Sequence, residues 1–174
     1  SPKRPARGAP SPMFESPFAM REKDFAAIQV IIDGLVEETG ARGVLVIDRV
    51  GQLLSRTGRM EEFDTTSLAS LAAGCVAATG GLARLLGEDD FPSHFHQGES
   101  GSLYISRVDE RGILIVFFDR ASSLGLVRLR ARKGSAALAH VFEEAKKENE
   151  ARVSPDHSAF ANITDEEIDN LFSD

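Results

Sequence analysis

Cysteine occurs once in these 174 residues, at position 75, so no disulfide can form within the chain and a reducing cytoplasm is the expected setting. No unbroken apolar run approaches the roughly 18 residues of a membrane span, and the start lacks the apolar stretch of a signal peptide, so membrane insertion is not expected. The central part of the chain is nearly balanced in charge, which leaves nucleic acid without an electrostatic footprint. The net charge is −7: from Ser154 onward there are six acidic residues and no Lys or Arg, while Ser1 to Pro12 carries only Lys3, Arg4 and Arg7. The nucleotide-cradling pattern GxxxxGK[ST] is missing, so the chain is not expected to hold a nucleotide in the P-loop manner. Metal chemistry has little to start from: His94 and His96 would share one face of a strand, with no clear third ligand nearby. No catalytic set, metal or cofactor is expected.

What is present organises into one domain with tails, since 42% hydrophobic content over this length supports one core and leaves no room for two ordinary domains. Residues 1–19, rich in Pro, Gly, Ser and Ala, read as an unstructured leader. Residues 20–151 read as the domain, and residues 152–174 as an acidic flexible tail. A first helix is expected from about Met20 to Thr39, with Phe25, Ile28, Ile31 or Ile32 and Leu35 at helical spacing and Gly40 as its stop. "GVLVID" and "QLLSRT" flank the turn "DRVG" as two strands. Asp64 and Gly87 bracket a second helix, after which "SHFHQ", "SLYISRV" and "ILIVFF" make three more strands. A third helix, capped by Ser122 or Ser123, presents Leu124, Val127, Ala131, Leu138, Val141, Phe142 and Ala145 on one face. The predicted class is α+β, in the order α-β-β-α-β-β-β-α. The five-stranded sheet is mainly antiparallel, with helices one and three on one face and helix two on the other.

The second helix is the unusual element. Leu68, Leu71, Cys75, Ala78, Leu82 and Leu85 recur at spacings of three and four and are expected to face the core, which makes Cys75 a buried, inert thiol. Ser70, Ala73, Gly74, Ala77, Gly80, Gly81 and Arg84 then form a nearly bare outer stripe. Each glycine there sacrifices about 0.8–1 kcal/mol of helix propensity relative to alanine. A stripe so costly fits close approach by another protein surface. One helix about 10–12 Å across also cannot cover a sheet roughly 24 Å wide, so a second copy is expected to complete the layer. Arg120, Arg128, Arg130, Arg132 and Lys133 are expected on the solvated face of the third helix.

The ending "FANITDEEIDNLFSD" repeats the theme on a smaller scale. Thr164 and Glu167 form a capping box, Ile163 and Ile168 a hydrophobic staple, and Ile168, Leu171 and Phe172 a short apolar stripe. Phe160, Ile163, Ile168, Leu171 and Phe172 are expected to act as a docking motif that folds on contact.

Taken together, "DTTSLASLAAGCVAATGGLARLLGEDDFP", "SLGLVRLRARK" and "DEEIDNLFSD" resemble the Roadblock domain family, and within it the bacterial MglB branch, from about Phe25 to Asp174. The resemblance implies a homodimer joined edge to edge through the third strand, about Ser93 to Gln97, whose paired second helices form a platform. Ala73, Gly74, Ala77 and Gly81 match the family's platform positions. It further implies a partner, a Ras-like small GTPase of the MglA type, whose GTP hydrolysis the dimer accelerates without an arginine finger or an active site of its own. The cellular setting it implies is front-rear polarity and gliding motility of rod-shaped bacteria, with a cell pole as the place of enrichment. A Roadblock adaptor that only assembles GTPase or cytoskeletal complexes is the alternative.

Overall fold

The computed structural model describes residues 19–161 and, beyond them, Glu166, Asn170 and Ser173. The elements follow the expected order: α1 (Glu22–Thr39), β1 (Gly43–Asp48), β2 (Leu53–Gly58), α2 (Thr65–Leu85), β3 (Ser93–Gln97), β4 (Ser102–Val108), β5 (Gly112–Phe118) and α3 (Leu124–Ala161). The strands form one antiparallel sheet in the order β2-β1-β5-β4-β3, which leaves β2 and β3 as edges.

Local chemistry sets most boundaries. Asp64 accepts a hydrogen bond from the Ser67 backbone N–H at 3.1 Å and so caps α2. Gly40, in the left-handed region at φ 71°, closes α1 by donating to the Val36 carbonyl. Of the two serines able to start α3, Ser123 caps it, accepting from Leu126 N–H at 3.2 Å. Ser122 instead donates to the Thr39 carbonyl at 2.7 Å and ties the start of α3 to the end of α1. α3 runs past residue 152, where the acidic tail was expected to begin. Its stretch of Glu, Lys and Ala is strongly helix-forming, with Lys147–Glu144 and Lys146–Glu150 pairs at helical spacing.

β1 is buried along its whole length and β5 nearly so, because both faces of the sheet are covered. On one face Val44, Val46, Leu114 and Val116 meet Ile28, Ile32 and Leu35 of α1 and Val127, Leu138 and Phe142 of α3. Phe25, expected in that core, sits at its rim, 39% exposed. On the other face Leu45, Ile47, Ile105, Ile113 and Ile115 meet α2. The turn after β1 is seated against α2: a Cβ on Gly51, at φ 94°, would lie 2.9 Å from the Ser70 Cα.

Asp64 carries a pH prediction. Its carboxyl is held below 3.8, first by the Ser67 hydroxyl and then by the Ser67 N–H. A depressed carboxyl contributes stability above its unfolded pKa and loses that contribution as pH falls through the folded one. Asp64→Ala should therefore lower the Tm at pH 7, and the gap from wild type should narrow by pH 3; calorimetry at the two pH values checks it.

Candidate functional site

α2 is rotated from its expected orientation. Ala69, Ala72 and Ala73 are buried against the sheet, with Leu68 and Val76 partly buried beside them, and Ala83 is buried further along the helix. Leu71, Leu82 and Leu85, expected in the core, are 73%, 57% and 85% exposed, and Leu86 is 71% exposed. Size explains the inversion. The sheet face below is already built from Leu and Ile side chains, with Met60 beside them, so most of the positions of α2 that lie close upon it are alanine. α2 also corrects the expectation about apolar runs. By length and composition alone it could cross a membrane, and among the described residues it is the one helix that passes this test. It carries one charged side chain, Arg84.

The outward surface of α2 divides into two stripes. On the side of β1 and β2 run Ser70, Gly74, Ala77, Gly81 and Arg84. That flank is located by Ser70, which sits against the Gly51 turn. On the side of β3 run Leu71, Cys75, Ala78 and Leu82, with Leu85 between the stripes. Three of the residues expected on the bare stripe are not fully exposed. Ala73 is 7% exposed and belongs to the packed face, and Gly80 and Gly81 are half-buried.

Among the described residues nothing requires the glycines to be small. A Cβ built on Gly74 or Gly80 meets no atom within 4 Å, and on Gly81 it meets only an Arg84 guanidinium nitrogen at 4.0 Å. Gly74→Ala should therefore stabilise the isolated protein by about 1 kcal/mol, raising Tm by about 3 °C in a thermal melt. An unchanged or lower Tm would mean the glycine serves the subunit's own packing.

β3 is an open edge, with four of its five residues exposed. Pro92 accepts from Arg107 N–H and Gly98 donates to the Gly101 carbonyl. Alternation then turns the backbone groups of Ser93, Phe95 and Gln97 outward, away from β4. Phe95 stacks on Phe118 on the α1/α3 face, whereas His96 points to the α2 face, with Nε2 3.8 Å from the Cys75 Sγ. Cys75 is thus a partly exposed thiol beside an imidazole and not a buried one. His94 shares that face; its ring nitrogens are enclosed beside the Phe91 backbone, and burial, which outweighs that contact, pushes its pKa below 6.5.

The basic residues of α3 lie on the opposite side of the sheet. Arg130 pairs with Glu38 at 3.2 Å, and Arg128, Arg132 and Lys133 are exposed. Phe160 falls in the last turn of α3, but its side chain, with Ile163, Ile168, Leu171 and Phe172, lies outside the described residues.

Residues 27–118 match the family model described as the Roadblock/LC7 domain. Among solved structures the chain is similar to Myxococcus xanthus MglB, 48% identical over 73% of this chain and 96% of that one, with a TM-score of 0.69. It is also similar to the gliding protein MglB from Thermus thermophilus, 35% identical over 75% and 98%, with a TM-score of 0.71. A structure described as MglB with tetrameric arrangement is 34% identical over 75% and 98%, with a TM-score of 0.72. None of the curated proteins matched the sequence.

Proposed function

The chain belongs to the Roadblock/LC7 domain family, and from that premise we propose that it is a homodimeric regulator that binds a Ras-like small GTPase of the MglA type and stimulates its GTP hydrolysis. The observation that carries this reading is the outer surface of α2. A glycine-bearing stripe whose one charged residue is the terminal Arg84 lies beside a leucine stripe, on the face of α2 that no other element among the described residues covers. The leucine stripe lies toward the open edge of β3, so a twofold pairing of β3 with β3 brings two leucine stripes together. The two bare stripes are then left side by side as one platform. A surface lacking long side chains lets the partner's switch segments approach the helix backbone and be held in one arrangement. Positioning and electrostatics provide most of phosphoryl-transfer catalysis, so fixing the partner's own residues is enough to accelerate it. The corresponding setting is the bacterial cytoplasm, at a cell pole, in polarity and motility. The C-terminal motif from Phe160 to Phe172 serves as a second contact to the GTPase.

The test is GTP turnover by a purified MglA-type GTPase with and without the protein. Acceleration of tenfold or more is expected, a factor that needs only about 1.4 kcal/mol at the transition state. No acceleration at saturating protein overturns the activating role. Binding without acceleration selects the alternative, an adaptor that uses the same platform for assembly alone.

A further inference from the structure

We infer that the β3 edge carries a binding site for a divalent transition metal of the zinc class, formed by Cys75 and His96 of one subunit with His94 of the partner subunit. This inference rests on the β3-to-β3 dimer of the preceding section. Three observations lead to it.

The first is the pair within one chain. Cys75 Sγ and His96 Nε2 stand 3.8 Å apart across the α2–β3 gap. Two ligands of a tetrahedral zinc, with Zn–S about 2.3 Å and Zn–N about 2.0 Å, stand about 3.6 Å apart. The pair is already near the spacing that a shared ion requires.

The second is the strand register. Ser93, Phe95 and Gln97 turn their backbone groups to the open edge, so an antiparallel copy must bond through those residues. The register that pairs all five residues of β3 places Phe95 opposite Phe95 of the partner subunit. His96 then stands opposite the partner subunit's His94 in a non-hydrogen-bonded pair, where Cα atoms approach to about 4.5 Å. Both imidazoles lie on the α2 face, beside the thiol.

The third is the state of His94. Both its ring nitrogens are closed off from solvent, with the Phe91 backbone as the hydrogen-bonding group beside the ring. Among the described residues no three potential ligands come together within one chain, so the set is incomplete until a second copy supplies His94. The twofold axis makes two such sites per dimer, each with one thiolate, two imidazoles and a fourth position for water. Thiolate and imidazole together favour zinc over magnesium or calcium.

The experiment uses the full chain, with cobalt(II) as a spectroscopic stand-in and zinc affinity measured by competition with a chromophoric chelator. One metal per chain is expected, with a thiolate-to-cobalt charge-transfer band. Cys75→Ser should abolish the band and weaken zinc binding by about 100-fold or more, since loss of a direct ligand exceeds the effect of losing a supporting residue. The decisive arm co-expresses two differently tagged chains, one carrying His94→Gln and the other Cys75→Ser with His96→Gln. Each homodimer should be silent, and the mixed dimer should recover one site, because only a site shared between subunits can be rebuilt this way. A wild-type dimer that binds cobalt without the sulfur band, or a mixed dimer that stays silent, overturns the site. Sedimentation separates the two failures: a chain monomeric with and without zinc removes the dimer itself, whereas a dimer that takes up no metal removes only the site.

Discussion

Ala77→Arg combined with Gly81→Arg should eliminate stimulation of GTP hydrolysis while leaving the subunit folded. Ala77 is exposed, and among the described residues a side chain starting from Gly81 meets only the flexible end of Arg84. Arginine also propagates a helix better than glycine, so helix propensity moves toward stability. The Tm should therefore stay level or rise. On the partner side the result is opposite. Two guanidinium groups on a surface shaped for close backbone approach must either hold the GTPase away or be buried without counter-charges, and overpacking alone costs about 1–3 kcal/mol. About 3 kcal/mol corresponds to a loss in affinity of more than 100-fold. Stimulation at wild-type saturating concentration should fall to the level of the GTPase alone, and binding measured by titration should fall with it. Full stimulation by the double variant would show that the platform lies elsewhere.

The same helix shows how far the sequence could be read. The ends of α2 were legible because they depend on short-range chemistry: Asp64 reaches the N–H of Ser67, and Gly87 takes the left-handed conformation just past the last turn. The order of elements and the placing of α2 opposite α1 and α3 followed from equally local patterns. The rotation of α2 was not legible. A helix with Ala, Gly and Leu all round has no single inward face, and choosing the bulkier stripe as core put Leu71, Leu82 and Leu85 on the wrong side. What decides the rotation is the bulk of Leu45, Ile47 and Ile115 in the sheet, whose pairing with α2 is a long-range fact. One signal was available: a helix with two apolar faces and one charged residue in 21 must present one of those faces outward. The approach of Cys75 to His96 was equally out of reach, because the chain between them passes around the sheet edge. Of the expected stripe, Ser70, Gly74 and Ala77 stand on the exposed side of α2, and Ala73 was misplaced because it stands where that stripe meets the packed face.

The leucines that were misread lead to the second large effect. Leu71→Asp with Leu82→Asp should convert the protein to a monomer. Both side chains are more than half exposed, so the substitutions leave the core of Leu45, Ile47 and Ile113 intact and should leave the Tm of the isolated subunit nearly unchanged. Fully burying a leucine stabilises by about 1.5–3 kcal/mol, so four such residues across a twofold axis contribute roughly 6–12 kcal/mol before costs. Association itself costs an estimated 4–15 kcal/mol in lost freedom, so the surplus that holds two subunits together is of the same size as the contribution of these residues. Removing it and adding four like charges at the seam leaves the short β3 edge with too little to hold the pair. Sedimentation equilibrium should show a single monomeric species at concentrations where the wild type is a dimer. Stimulation of the GTPase should be lost with it, although Gly74, Ala77 and Gly81 are untouched, because the platform needs two helices side by side. A double variant that remains dimeric with undiminished affinity would place the subunit contact away from α2.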